Sequence, residues 1–99
     1  ILKDLTKMAN AIATIRIVPE SPDVDLKKIE HEAIKKVEHF AGEGETRIEV
    51  IPVAFGLKSL NITFVMDEAL GSPEILEKEL EKIHGVNSVE TIDVRRAIG

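Results

Sequence analysis

Ile51 to Leu60 reads IPVAFGLKSL, and the break inside this stretch decides how the chain folds. On either side the residues alternate as strands do, in Thr46–Val53 (TRIEVIPV) before the break and Leu60–Met66 (LNITFVM) after it. Pro52 lacks a ladder donor, and Gly56 reaches backbone angles closed to other residues, so the strand pattern must turn here. Two strands joined by so short a connection pair antiparallel. The alternation places Ile48 and Val50 inward on the first strand and Leu60, Ile62, Phe64 and Met66 inward on the second, with Asn61 and Thr63 outward. Phe55, one of only three aromatic residues, falls at the bend. A ring at such a corner is poorly placed for the core and well placed to enter a pocket on another protein. Folding back over the end of the core is the other reading of the same position.

Outward from the hairpin, each side supplies one strand and one helix. Ala11–Val18 (AIATIRIV) sets Ala13, Ile15 and Ile17 on one face of a strand, which Pro19 and Ser21-Pro22-Asp23 end. Asp23 or Asp25 then caps a helix from Leu26 to Ala41, whose apolar stripe is Ile29, Ala33, Val37 and Phe40, with Gly42 as its stop. On the far side Ser72-Pro73-Glu74 opens a second helix with the buried stripe Leu76, Leu80 and Ile83, and Gly85 closes it. Val86–Val94 (VNSVETIDV) is a last strand of ambiguous parity: Val86, Val89 and Thr91 face the core, or Ile92 and Val94 do. Arg95–Gly99 is read as a short tail. The order β-α-β-β-α-β with right-handed crossovers gives an α+β, ferredoxin-like sandwich: a four-stranded antiparallel sheet with both helices on one face. It occupies residues 11–99, and residues 1–10 read as an N-terminal extension or tail.

Composition narrows the function classes. The chain has 99 residues, 43% of them hydrophobic, enough for one compact domain with a modest core. Its apolar runs are short and interrupted by charge, which excludes a membrane-spanning helix, and the charged start does not read as a signal peptide. Cysteine is absent, which removes disulfides, thiolate metal sites and cysteine nucleophiles and fits a cytoplasmic location. A formal net charge of −5 would repel a phosphate backbone. The outward positions of the third strand hold no aromatic on which a base could stack, so direct nucleic-acid binding is not expected.

No constellation promises bond chemistry. His31 and His39 stand eight residues apart on one helix with Lys35 between them, the wrong spacing for a metal pair. His84 reads as a helix-end residue complementing the dipole. Glu77, Glu79 and Glu81 alternate with Lys78 and Lys82 as the charge lacing of an exposed helix, and Asp67-Glu68 as a polar turn. No serine sits in a nucleophile elbow, and Gly42-Glu43-Gly44 follows a helix rather than a strand, so it is no phosphate loop. The fold plan by itself decides nothing about function. An amino-acid-binding regulatory module of ACT type shares it, but Pro19–Asp25 is acidic and rigid where that module would hold a carboxylate. No cofactor or metal is called for, and the chain is expected to work by contact rather than as an enzyme.

Three segments, taken in order and spacing, carry a resemblance: Val18–Leu26 (VPESPDVDL), Ile51–Leu60 with its core Ala54-Phe55-Gly56-Leu57-Lys58, and Gly85–Arg96 ending Thr91-Ile92-Asp93-Val94-Arg95-Arg96. Together they resemble the archaeal translation elongation factor 1-beta family. The resemblance implies a ferredoxin-like fold and a guanine nucleotide exchange factor that promotes GDP release and GTP loading on elongation factor 1-alpha. It implies a partner-binding set of Ala54, Phe55, Gly56, Lys58, Asp93, Arg95 and Arg96. In eukaryotic relatives the phenylalanine matching Phe55 inserts into the GTPase near its magnesium and switch region, and a lysine close to the C-terminus acts at the magnesium site. This chain has no lysine after Asp93 and ends Arg95-Arg96-Ala97-Ile98-Gly99.

Overall fold

A computed structural model describes residues 10–97. The expected extension over 1–10 lies outside the described residues except for Asn10, which opens the first strand; residues 98–99 of the expected tail also lie outside them. The elements are β1 (Asn10–Pro19), α1 (Leu26–Ala41), β2 (Thr46–Pro52), β3 (Lys58–Asp67), α2 (Glu74–Glu81) and β4 (Val86–Ala97). All strand pairs are antiparallel, in the order β2-β3-β1-β4. This is the ferredoxin-like α+β arrangement the alternation predicts.

One cluster forms the core. Ala11, Ala13, Ile15 and Ile17 of β1 and Leu60, Ile62, Phe64 and Met66 of β3 meet Ile29, Ala33 and Val37 of α1 and Leu76 and Leu80 of α2. Both helices therefore cover the same sheet face. α1 begins where Asp25 accepts the Lys27 N–H at 3.0 Å, which decides between the two candidate caps, and Gly42 ends it by returning its N–H to the Glu38 carbonyl at 2.8 Å. In α2, Ser72 Oγ accepts the Glu74 N–H at 3.3 Å.

Several expectations fail for identifiable reasons. Val50 is 49% exposed rather than inward. It pairs with the fully buried Leu60, so it faces the helix side, but β2 is an outer strand and Val50 lies outside the core cluster. Asn61 points to the open face yet is only 6% exposed, and its Oδ1 has no hydrogen-bond partner. β4 runs on through Arg95 and Arg96, so these arginines belong to a strand and not to a tail. Of the two readings of its parity the first holds: Val86 is buried, Val89 packs against the core and Thr91 is half-buried, whereas Ile92 and Val94 are exposed. Ile17 pairs with Val89 and Ile15 with Thr91, but the register then slips so that Thr14 meets Asp93 and Ala13 meets Val94. Ile92 is the extra residue of a bulge, and the side chains change faces across it. α2 stops at Glu81, so His84 stands in the turn beyond it rather than in the last helical turn. Glu77 does not lace the helix surface either. Its Oε2 accepts from the Thr91 N–H at 3.0 Å and from the Thr91 hydroxyl, pinning α2 to β4.

Candidate functional site: a strained aromatic corner

The β2–β3 connection is a tight clasp. The Val53 N–H donates to the Leu57 carbonyl at 2.8 Å, and the Leu57 N–H returns to Ala54 at 3.3 Å, leaving Ala54–Gly56 as a single 3₁₀ turn. Phe55 sits at the tip of this turn with φ 62° and ψ 31°. It is the only non-glycine residue with positive φ among those described. For a bulky side chain this left-handed conformation costs roughly 1–2 kcal/mol. The following Gly56, at φ 75°, takes a second left-handed conformation where it costs little. The ring receives nothing in return from the fold: Phe55 is 94% exposed. The alternative in which it folds back over the core is thereby excluded. A strained, conspicuously exposed aromatic is a hallmark of a residue held for an external partner.

The clasp leans on the first crossover. A side chain built on Gly56 would meet the Pro22 ring at 3.9 Å, ordinary contact distance. Between the two loops lies a groove of about 390 Å³, bordered by Pro19, Pro22, Asp25, Gly56 and Lys58. The crossover is fixed from behind as well, because the Glu20 N–H donates to the Gly85 carbonyl at 2.8 Å. A Cβ on Gly85, whose φ is 93°, would lie only 2.8 Å from Val24 Cγ1. Gly85 therefore does more than stop a helix: it admits the Val24 side chain against the chain's backbone.

The sequence-predicted residues divide into two groups that the fold keeps apart. Ala54, Phe55, Gly56 and Lys58 are exposed at the hairpin end of the sheet. Arg95 and Arg96 pair with Ile12 and Ala11, which in turn pair with Val65 and Met66 at the other end. Lys58 to Met66 spans about 26 Å of strand at ~3.3 Å per residue. Asp93 and Arg95 form an ion pair at 2.8 Å. Arg96 grips Glu68 through two bonds of 2.8 and 3.1 Å. The hydrogen bond from Arg96, and then its charge, hold the Glu68 carboxyl below the ordinary glutamate range, while the same carboxylate raises the arginine. Sequence reasoning missed Glu68 as the partner of Arg96, and no local pattern could have revealed a contact between positions 28 apart in the chain. It also missed Pro22 as the neighbour of Gly56.

Among the described residues no group of three or more His, Asp or Glu side chains could hold a metal, and no helix is long and apolar enough to cross a membrane. Asp67 is occupied in capping the Ala69 N–H at 2.8 Å, as a polar turn would have it. What the surface offers is a projecting ring on a braced corner, carried by a small ferredoxin-like α+β sandwich.

Residues 12–97 match the family described as the EF-1 guanine nucleotide exchange domain. The chain is 40% identical over 89 residues to the elongation factor 1-beta of Methanothermobacter thermautotrophicus and 41% identical over 92 residues to that of Methanobrevibacter smithii. Each alignment covers 90% of this chain and 98% of the relative. The chain belongs to this family of guanine nucleotide exchange factors of translation elongation. That membership sets aside the regulatory-module reading. A de novo designed protein, Foldit4, superposes with a TM-score of 0.59 at 18% identity, covering 91% of this chain and 98% of its own, which speaks to the fold alone.

Proposed function

We propose that this protein promotes GDP release from elongation factor 1-alpha, in the cytoplasm, by inserting Phe55 into the GTPase. The observation that carries the reading is the combination at Phe55 of 94% exposure with a left-handed backbone. A side chain that stabilised only its own fold would have neither.

Exchange needs no bond chemistry. Factor and nucleotide bind the GTPase with a coupling free energy that is reciprocal, so each weakens the hold of the other. Speeding release ~1,000-fold requires the opened, nucleotide-poor form to be favoured by about 4 kcal/mol at the barrier. One aromatic buried in a partner's pocket, with a few charge contacts, supplies energy of that order. Disturbing magnesium adds to it, since that ion joins the nucleotide phosphates to the switch segments. The geometry supports engagement at two separated points: Phe55 and Lys58 at one end of the sheet, and Asp93, Arg95 and Arg96 at the other. At the second end the two arginines occupy the region where eukaryotic relatives use a lysine. Their charges are already paired within the free protein, so they must exchange Asp93 and Glu68 for groups on the GTPase. The test is release of fluorescent GDP from the cognate elongation factor 1-alpha. Acceleration by this protein supports the reading, and an unchanged rate at saturating protein overturns it.

A further inference from the structure

The bulge at Ile92 sets the register of the last residues of β4, and with it the side of the sheet that each arginine faces. Arg95 pairs with Ile12, and Arg96 with the buried Ala11, in a strand that alternates between the core and the open face. Arg95 therefore stands on the open face and Arg96 on the helix side. Their internal partners differ as well. Arg95 donates once, from Nε to Asp93 two residues back on the same strand. Arg96 donates twice to Glu68, from Nε at 2.8 Å and from Nη2 at 3.1 Å, across 28 positions of the chain.

Glu68 is held ready for this contact. Asp67 Oδ1 accepts the Ala69 N–H at 2.8 Å, and the Gly71 N–H returns to the Glu68 carbonyl at 3.0 Å, which closes the turn that carries Glu68. The Glu68 side chain is 28% exposed and that of Arg96 75%. The carboxylate is the covered member of the pair, and the guanidinium is the one a partner can reach. A guanidinium carries five N–H groups in a planar fork. Glu68 takes the edge between Nε and Nη2, and among the described residues no acceptor meets the edge between Nη1 and Nη2. A second oxyanion can engage that free edge before Glu68 lets go, so the arginine changes partners without passing through a bare charge.

We propose that Glu68 is a gate on Arg96: an internal carboxylate that competes with the GTPase for the guanidinium and yields to a group presenting two anionic oxygens, a carboxylate or a nucleotide phosphate. This rests on the reading of Arg96 as a contact at the second end and gives that contact a chemistry. A lone hydroxyl or carbonyl offers one neutral oxygen, too little to replace two charge-assisted bonds. Glu68 thus lowers the affinity of the factor and narrows what Arg96 accepts.

Glu68→Gln tests the gate, because it keeps the length of the side chain and one accepting oxygen while removing the charge. When the factor is titrated against GDP release, the half-saturating concentration should fall about threefold with the limiting rate unchanged, as for loss of an exposed competing pair. Arg96→Ala should raise that concentration about tenfold, and adding Glu68→Gln to Arg96→Ala should change nothing further. The gain from Glu68→Gln should shrink at high salt. Binding to nucleotide-free elongation factor 1-alpha separates the two sources of oxygen: a gain that persists there belongs to a carboxylate of the GTPase, and one that vanishes there belongs to the nucleotide phosphate. An unfolding transition well above the assay temperature excludes a folding defect; if Glu68→Gln unfolds, Glu68→Asp, one methylene short of the fork, replaces it. A half-saturating concentration that stays or rises in Glu68→Gln, alongside an effective Arg96→Ala, overturns the gate and makes Glu68 a brace. An Arg96→Ala variant that exchanges like the parent, alongside an effective Phe55→Ala, overturns the gate and leaves the Phe55 reading standing. The converse pair of results overturns the Phe55 reading and leaves the gate in place.

Discussion

Val53 and Leu57 are joined by a 2.8 Å backbone hydrogen bond, and that bond turns the hairpin corner into a closed clasp with Phe55 forced outward at its tip. The left-handed backbone at Phe55 is therefore imposed by the clasp and not relieved by any contact of the ring. Glycine adopts this conformation freely but loses more freedom on folding, so the two effects partly offset. Phe55→Gly should leave stability within about 1 kcal/mol of the parent, on the stabilising side, while abolishing most of the exchange activity. Chemical denaturation beside GDP release separates the two readouts. A large loss of stability would mean that the ring supports the fold.

Gly85 predicts the opposite behaviour. Alanine there meets Val24 Cγ1 at 2.8 Å and must also adopt φ 93°. Gly85→Ala should cost about 1–3 kcal/mol, seen as a lowered thermal midpoint. Adding Val24→Ala removes the clash but not the backbone strain, so it should recover only part of the loss in a double-mutant cycle.

Much of this fold was legible because burial on one side imposes a period. β3 turns Leu60, Ile62, Phe64 and Met66 inward as expected, with Asn61 the buried exception, and α1 starts and stops at residues read as its cap and its glycine. The misreadings arise where the deciding neighbour is distant in sequence. Alternation marks Val50 as facing the helix side but cannot say that an outer strand leaves it half exposed. A one-residue bulge at Ile92 cannot be seen in a strand that satisfies either parity. Glu77 reads as surface charge until β4 brings Thr91 to it. The corner at Phe55 was visible from Pro52 and Gly56, but its exposure depended on how the clasp closed. The separation of Phe55 from Arg95 and Arg96 depended on strand order.

The Glu77–Thr91 contact carries a stability prediction of its own. Glu77→Ala leaves the Thr91 N–H and hydroxyl without their acceptor and should cost about 1–2 kcal/mol. Glu77→Gln keeps an acceptor oxygen and should cost less. Equal losses in the two variants would mean that helix propensity, rather than this bond, sets the effect.

Glu68 and Glu79 are both held below the ordinary glutamate value of 4.5, by hydrogen bonds from Arg96 and Lys82 respectively. A carboxyl whose folded-state value is depressed stabilises the protein above its unfolded value, and that contribution disappears as pH falls through the folded value. Stability should therefore decline below about pH 4.5, and the decline should be shallower in Glu68→Gln. Both pairs are solvent-exposed, so the difference between variants should shrink at high salt. A Glu68→Gln profile identical to the parent at low salt would show that the Arg96 pair contributes nothing to folding.

The claim at the centre is that the Phe55 ring itself opens the GTPase. Its most direct test is GDP release from elongation factor 1-alpha at saturating factor, comparing the parent with Phe55→Ala. The account predicts a fall of at least about tenfold in the limiting rate with an unchanged unfolding midpoint. Release as fast with alanine as with phenylalanine would contradict it.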